Sequence, residues 1–178
     1  MNNIKTVLVT TALFFSVAAV TAQQQLEELL SQYNTRSVPY ISVEELRMQR
    51  ANSTVALLDA REPEEFAASH LPSAQLVGFN YFSIEAVSAQ IKDKNTPIVV
   101  YCSLGIRSEE IGEKLKKAGF TNVKNLYGGI FEWKNKGHPV FNANGAATDS
   151  VHTFSKAWGK WLRKGVRFQP KRKPRHKS

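Results

Sequence analysis

The segment PIVVYCSLGIRS, Pro97–Ser108, changes character at its midpoint. Its first half is short, apolar and rich in β-branched residues, without polar alternation. Such a run suits a strand buried on both faces of a parallel sheet. Ser108–Ala118 then reads as a helix. Ile111, Leu115 and Ala118 share one face, Glu109 and Glu110 open it, and Lys116 and Lys117 close it, a charge order that suits the helix dipole. Gly119 is a stop signal. Between strand and helix lies Cys102-Ser103-Leu104-Gly105-Ile106-Arg107. The carboxyl edge of an open α/β sheet is where ligands bind. A tight strand-to-helix turn can aim backbone N–H groups inward as an anion nest. Gly105 permits a backbone shape that most residues resist. Amide dipoles, the helix N-terminus and Arg107 all favour a thiolate at Cys102, which is the nucleophilic form.

Strands and helices alternate on both sides of this segment. Val55–Leu58, ending at Asp59, and Val123–Leu126 read as further strands. Ser42 with Glu45 makes a capping box at a helix start. Ile84–Ile91 reads as a helix, and another short helix is expected around Trp133, after Gly128-Gly129. Leu26–Tyr33 has apolar residues at 26, 29, 30 and 33, one face of a short helix. The expectation is an α/β fold with a small, mainly parallel sheet and helices on both faces.

The chain has 178 residues, 24 Lys+Arg against 15 Asp+Glu, a formal charge of +9 and a single Cys. The length fits one domain with extensions. One Cys excludes an intramolecular disulfide and any Cys-rich zinc site. The basicity is local. Residues 151–178 carry ten Lys or Arg and no acid, whereas the rest of the chain is nearly neutral.

The ends read as additions. Residues 1–22 hold Lys5, an apolar run from Val7 to Val20 and small residues up to Ala22, the order of a secretory signal peptide. The run is short for a spanning helix, which needs about 20 residues. An exported chain, periplasmic or secreted and open to membrane association, is expected. Residues 23–38 form a helical lead-in. In 143–169, Phe154, Ala157, Trp158, Trp161 and Leu162 recur at helical spacing, predicting an amphipathic helix over Val151–Val166. It would dock on the domain or lie on an anionic membrane. Residues 170–178 are expected as a disordered basic tail, suited to anionic lipid or an acidic protein rather than nucleic acid.

Four blocks in order resemble the rhodanese family. CSLGIRS is similar to its active-site loop, Cys-x-x-Gly-x-Arg-Ser. LDAREPEEF (Leu58–Phe66) resembles Asp-x-Arg-x-x-x-Glu-Phe. SHLPSA (Ser69–Ala74) resembles Gly-His-Ile-Pro-Gly-Ala, with Ser69 and Ser73 in place of glycines. NLYGGIFEWKNKGHPV (Asn125–Val140) resembles the closing Leu-x-Gly-Gly…Trp…Gly-x-Pro-Val stretch. The resemblance covers about Tyr40–Phe141 and implies a rhodanese-like domain over 39–142.

That resemblance implies a sulfurtransferase. Cys102 would take a sulfane sulfur from a donor such as thiosulfate or a persulfide. N–H groups of Ser103, Leu104, Gly105, Ile106, Arg107 and Ser108 would hold the resulting persulfide, as an oxyanion hole holds an oxyanion. Cyanide, a thiol or a protein thiol would accept it. No metal and no organic cofactor is implied. Thiosulfate enzymes of the family often carry cations early in the loop. Here Ser103 and Leu104 are neutral and Arg107 is the loop's only cation, which disfavours thiosulfate. The rival chemistry is a phosphatase or arsenate reductase; related cell-cycle phosphatases use a roomier Cys-x5-Arg loop, and the present loop, one residue shorter, favours a single sulfur over a phosphate. A non-catalytic module that binds a partner or signals through its persulfide is the alternative from another class.

Other residues read as supporting. Asp59 and Arg61 follow a strand end and are expected as a structural ion pair, with orientation of the loop as their functional reading. His70 is expected to fix the turn before Leu71-Pro72. Glu62, Glu64 and Glu65 read as helix-start charges, and Trp133 as core. His138 and His152 have no ligand spacing with each other or with Cys102.

Overall fold

The computed structural model describes residues 23–169. The leader expected at 1–22 and the basic tail at 170–178 lie outside the described residues. The chain divides into Met1–Thr35 and Arg36–Ser178. In the first, residues 23–33 form helix α1, which contains the predicted Leu26–Tyr33. Asn34 N–H donates to Leu30 O at 2.8 Å and ends it.

The second unit runs β1 (Tyr40–Ile41), α2 (Val43–Asn52), β2 (Ala56–Asp59), α3 (Pro63–Ala68), β3 (Gln75–Leu76), α4 (Ile84–Gln90), β4 (Ile98–Tyr101), α5 (Arg107–Lys117), β5 (Val123–Leu126) and α6 (Gly129–Asn135). Five strands make one sheet in the order β1-β5-β4-β2-β3, every pairing parallel. β4 lies in the middle, with Val100 opposite Leu58 on one side and Asn125 on the other. Leu58, Ile98, Val100 and Val123 pack with Val87 of α4 and Ile111 and Leu115 of α5. The alternate residues Leu57, Val99 and Tyr101 are buried too. Both faces of the central strands are therefore covered, and the run PIVVY has no polar alternation for that reason. Truncating Ile111 to Ala would cost about 3 kcal/mol.

The helix signals act as the sequence implies. Ser42 Oγ accepts from Glu45 N–H at 3.1 Å, and Glu45 Oε2 accepts from Ser42 N–H at 2.8 Å, closing the capping box of α2. α5 keeps its acidic start and basic end, and Lys114 pairs with Glu110 at 2.9 Å.

The C-terminal region corrects the sequence reading. Val151–Val166 does not form one amphipathic helix. β6 (Val140–Phe141) and β7 (Ala147–Thr148) pair antiparallel, and β8 (Ser150–His152) pairs parallel with β9 (Val166–Phe168). Between β8 and β9 lies a single turn, α7 (Lys156–Gly159). The apolar stripe splits: Leu162 is buried, whereas Phe154 and Ala157 are exposed. Backbone pairing of Val151 with Arg167 and His152 with Phe168 overrides the helical spacing. Val151 and Thr153 are β-branched, and Gly159 and Gly165 weaken a helix. The resulting arch is tied to α6. Lys134 Nζ lies 2.6 Å from Asp149 Oδ1, and Asn135 Nδ2 donates to Trp161 O at 2.9 Å. Asn135 Oδ1 accepts from Arg163 N–H at 2.7 Å and Lys164 N–H at 3.1 Å. Among the described residues no helix is long and apolar enough to cross a membrane.

Candidate active site

Cys102 follows the last residue of β4, and α5 begins at Arg107. The intervening loop turns back under the sulfur because Gly105 sits at φ +113°, which L side chains rarely adopt. Gly105 N–H thereby donates to Cys102 Sγ at 3.1 Å. Ser108 Oγ approaches Sγ at 3.5 Å and Asn125 Oδ1 at 2.7 Å. Its single hydroxyl hydrogen serves one acceptor at a time. A thiolate competes for it better than a thiol, so charge on Sγ draws the hydrogen over. Cys102 is only 2% exposed. Burial pushes its thiol up, but the Arg107 charge, the Ser108 hydroxyl and the N–H groups of Ser108 and Gly105 outweigh it. The thiol is held below its ordinary value.

Arg107 does not float at the loop's end. Its Nη1 donates to Glu65 Oε2 at 2.7 Å, and its Nη2 to Glu65 Oε1 at 2.8 Å and Ser103 Oγ at 3.2 Å. Ser103 Oγ also lies 3.3 Å from Glu65 Oε1. Glu65 sits in the first turn of α3 and closes that helix's capping box, accepting from Glu62 N–H at 3.0 Å. Burial raises the Glu65 carboxyl, yet Arg107 pulls it below the usual carboxylate range. The expected helix-start role is present, but Glu65 also belongs to the candidate site through Arg107 and Ser103, a part the sequence alone did not show. Asn125 was missed as well. Fully buried on β5, it donates through Nδ2 to Gly105 O at 2.8 Å and Glu109 Oε2 at 3.1 Å, pinning the loop from below.

The loop is held from the other side by α6. Ile130 N–H donates to Cys102 O at 2.9 Å and Phe131 N–H to Ser103 O at 3.2 Å. That approach requires Gly129. A Cβ there would stand 2.3 Å from Cys102 O, and φ is +54°. The predicted loop residues thus come together with distinct parts. Gly105 N–H and Ser108 Oγ meet the Cys102 sulfur, Arg107 acts on it by charge, and Ser103 Oγ joins Arg107 and Glu65. Leu104 turns its side chain into the core, and Ile106 is half-buried as the residue before α5.

A model of the rhodanese-like domain matches residues 42–136, more than half of the chain. The chain belongs to the rhodanese-like family. It is similar to a probable adenylyltransferase/sulfurtransferase, MoeZ, of Mycobacterium tuberculosis, 35% identical over 48% of this chain and 21% of that one. It is similar to a putative sulfur carrier protein, YrkF, of Bacillus subtilis, 31% identical over 60% of this chain and 56% of that one. A thiosulfate sulfurtransferase, GlpE, of Coxiella burnetii is 30% identical over 51% of this chain and 80% of that one. The chain therefore spans about a fifth of the first relative and just over half of the second. Among solved structures, the BH2092 protein of Bacillus halodurans superposes with a TM-score of 0.54 at 22% identity, covering 67% of this chain and 88% of that one. A thiosulfate sulfurtransferase from Pseudomonas aeruginosa gives 0.56 at 22% identity, covering 79% and 26%. These two likenesses show the fold.

Within the rhodanese-like domain, Asp59 and Arg61 stand behind the site rather than in it. Both are fully buried. Arg61 Nη2 lies 2.6 Å from Asp59 Oδ2 and donates to Ser69 O at 2.6 Å. The pair ties the end of β2 to the turn that precedes β3, and its charge reaches Glu65. His70 Nδ1 lies 3.1 Å from Phe66 O, and its ring stacks on Phe66. Its backbone exchanges hydrogen bonds with Phe141. Trp133 is buried and donates to Pro139 O at 2.9 Å.

The arch beyond residue 136 borders the same site. His152 Nδ1 lies 3.9 Å from Glu65 Oε1 and accepts from Phe154 N–H at 3.1 Å. Burial holds this imidazole below its ordinary pKa. Phe154 places its ring 5.1 Å from the Arg107 guanidinium carbon.

Proposed function

We propose that this rhodanese-like chain is a sulfurtransferase that carries a sulfane sulfur on Cys102. The observation that carries this reading is the convergence of Gly105 N–H and Ser108 Oγ on Sγ, beside an Arg107 fixed by Glu65. The thiolate attacks the outer sulfur of a donor. A bond forms between Sγ and that sulfur while the donor's S–S bond breaks. The leaving group departs with the electron pair: sulfite from thiosulfate, or a thiolate from a persulfide. The product is the Cys102 persulfide, whose outer sulfur lies further from the backbone than Sγ. Cyanide or a thiol then attacks that outer sulfur, and Cys102 leaves as the thiolate again.

Chemistry needs the anionic form of both Cys102 and its persulfide. N–H groups and Arg107 favour each without reorganising as the sulfur arrives, which is preorganised electrostatic stabilisation. The sulfurtransferase names of the Mycobacterium and Coxiella relatives support the same reading.

The test is direct. The protein is incubated with thiosulfate or a thiol persulfide and its mass measured intact. Gain of one sulfur atom, reversed by cyanide and absent in Cys102→Ser, is expected. A chain that gains no sulfur from either donor is not a sulfurtransferase of this kind. A Cys102→Ser variant that still transferred sulfur would refute the named nucleophile.

A further inference from the structure

The site offers little free positive charge to a donor. Both ends of the Arg107 guanidinium are engaged by Glu65, and Nη2 is shared with Ser103. Ser103 and Leu104, earlier in the loop, are neutral. The Arg107 side chain is 16% exposed, and the ring of Phe154 lies over it. Phe154 is itself 56% exposed, an apolar surface beside the guanidinium. A donor nearing this side of the site meets an aromatic ring and a charge-compensated cation.

Phe154 is held there deliberately. Its φ is +59°, the left-handed region that non-glycine residues rarely adopt and that clusters at functional sites. Its N–H is tied to His152 Nδ1, and its ring meets Trp158 edge-on at 6.2 Å. β8 and β9, and the anchors of the arch on α6, fix the backbone on either side. The arch lies beyond the 42–136 family match.

We propose that Phe154 sets donor specificity, directing Cys102 toward organic persulfides and away from the inorganic dianion thiosulfate. The inference rests on the sulfurtransferase reading and names its substrate class. For a donor R–S–SH, the thiolate attacks the terminal sulfur. The new Sγ–S bond forms, the donor's S–S bond breaks, and RS⁻ leaves with the electron pair. The proton on the transferred sulfur is lost to water, leaving Cys102-S-S⁻. The R group lies against the Phe154 ring. Thiosulfate has no apolar part to place there, and it finds Arg107 Nη1 already bonded to Glu65 and Nη2 to Glu65 and Ser103.

The experiment uses the full chain, with glutathione persulfide and thiosulfate as probes and cyanide as acceptor. kcat and KM are measured for each donor in wild type, Phe154→Gly and Phe154→Leu. Glycine accepts the positive φ, and leucine keeps an apolar cap. The wild type is expected to favour the organic persulfide by about tenfold or more in kcat/KM. Phe154→Gly should move that ratio toward thiosulfate by about threefold to fivefold, the size of an exposed cation–π contact, mainly through KM. Phe154→Leu should move it less. A ratio unchanged in both variants, with transfer intact, overturns the role of Phe154 alone. A wild type that prefers thiosulfate overturns the specificity. No sulfur on Cys102 from either donor overturns the sulfurtransferase reading itself.

Discussion

Arg107 grips Glu65 with both ends of its guanidinium, at 2.7 Å and 2.8 Å, although 42 positions separate the two residues. The grip joins the α3 first turn to the α5 first turn across the mouth of the Cys102 loop. It fixes the one charge that helps the thiolate against burial. It also explains why a helix-start glutamate is buried at 1% exposure: the loop closes over it.

Glu65→Gln should weaken both the fold and the reaction. Removing one partner of a largely buried pair leaves an uncompensated charge. With Arg107 partly exposed, the loss should be about 2–3 kcal/mol. The Glu65 carboxyl is lowered in the folded protein. Its contribution is therefore present at neutral pH and lost as pH falls through that lowered value. Urea unfolding at about pH 7 and about pH 3, well below the unfolded carboxyl value, checks this. The wild type should lose more stability between the two than Glu65→Gln does. Equal losses would mean that Glu65 is not the titrating group.

Gly129→Ala and Gly119→Ala make a paired test of how α6 seats the loop. Both glycines have positive φ, +54° and +91°. A Cβ at 119 meets nothing within 4 Å, so only backbone strain of about 1–2 kcal/mol is expected. A Cβ at 129 would press on Cys102 O, adding an overpacking cost for about 3 kcal/mol or more in total. The hydrogen bonds from Ile130 and Phe131 to the loop would break as well. Thermal melts should separate the two variants clearly, and only Gly129→Ala should lose sulfur loading per folded molecule. Similar behaviour of both would refute the close-approach account.

The parts of this site carried by neighbours in sequence were readable from the sequence. Cys102, Gly105, Arg107 and Ser108 lie in one turn, and the β-branched run before them betrays a doubly buried strand. Ser42 and Glu45 announce a helix start for the same local reason. Glu65 fills the Glu of the Asp-x-Arg-x-x-x-Glu-Phe block, but its partner, like the role of Asn125, was not readable, because both are set by packing of α3 and β5 against the loop. Glu65 also satisfies a capping box, so its local role concealed its distant one. The C-terminal arch misled for a related cause. Phe154, Trp158, Trp161 and Leu162 recur at helical spacing, while the interaction that decides the matter is pairing of His152 with Phe168. Periodicity records only what one segment could bury by itself.

Asp59→Asn tests whether the Asp59–Arg61 pair supports structure or chemistry. Both side chains are fully buried, and Arg61 also donates to Ser69 O. Neutralising the carboxylate leaves Arg61 uncompensated and should cost about 3–5 kcal/mol. Neither residue touches Sγ in the hydrogen-bond network of the loop, so sulfur loading per folded molecule should stay close to wild type. Unfolding midpoints, with mass measurement of the persulfide below the transition, would show it. A stable variant with poor loading would move the pair into the chemistry.

The last prediction concerns pH and the Ser108 hydroxyl. The Cys102 thiol is held below its ordinary value despite burial, by Arg107, Ser108 and Gly105. Its thiolate therefore persists at lower pH than that of a free cysteine, and sulfur loading should fall only as pH drops through the depressed value. Ser108→Ala removes the hydroxyl but keeps the Ser108 and Gly105 N–H groups. At 3.5 Å the lost contact is long, so its worth lies at the low end for a charged acceptor. The acid limb of the single-turnover pH profile should move up by about one pH unit. Loading should fall about tenfold below that limb and recover at alkaline pH, where both proteins are thiolate. A limb that stays in place, or a deficit that persists at high pH, would show that Ser108 acts on something other than thiol ionisation.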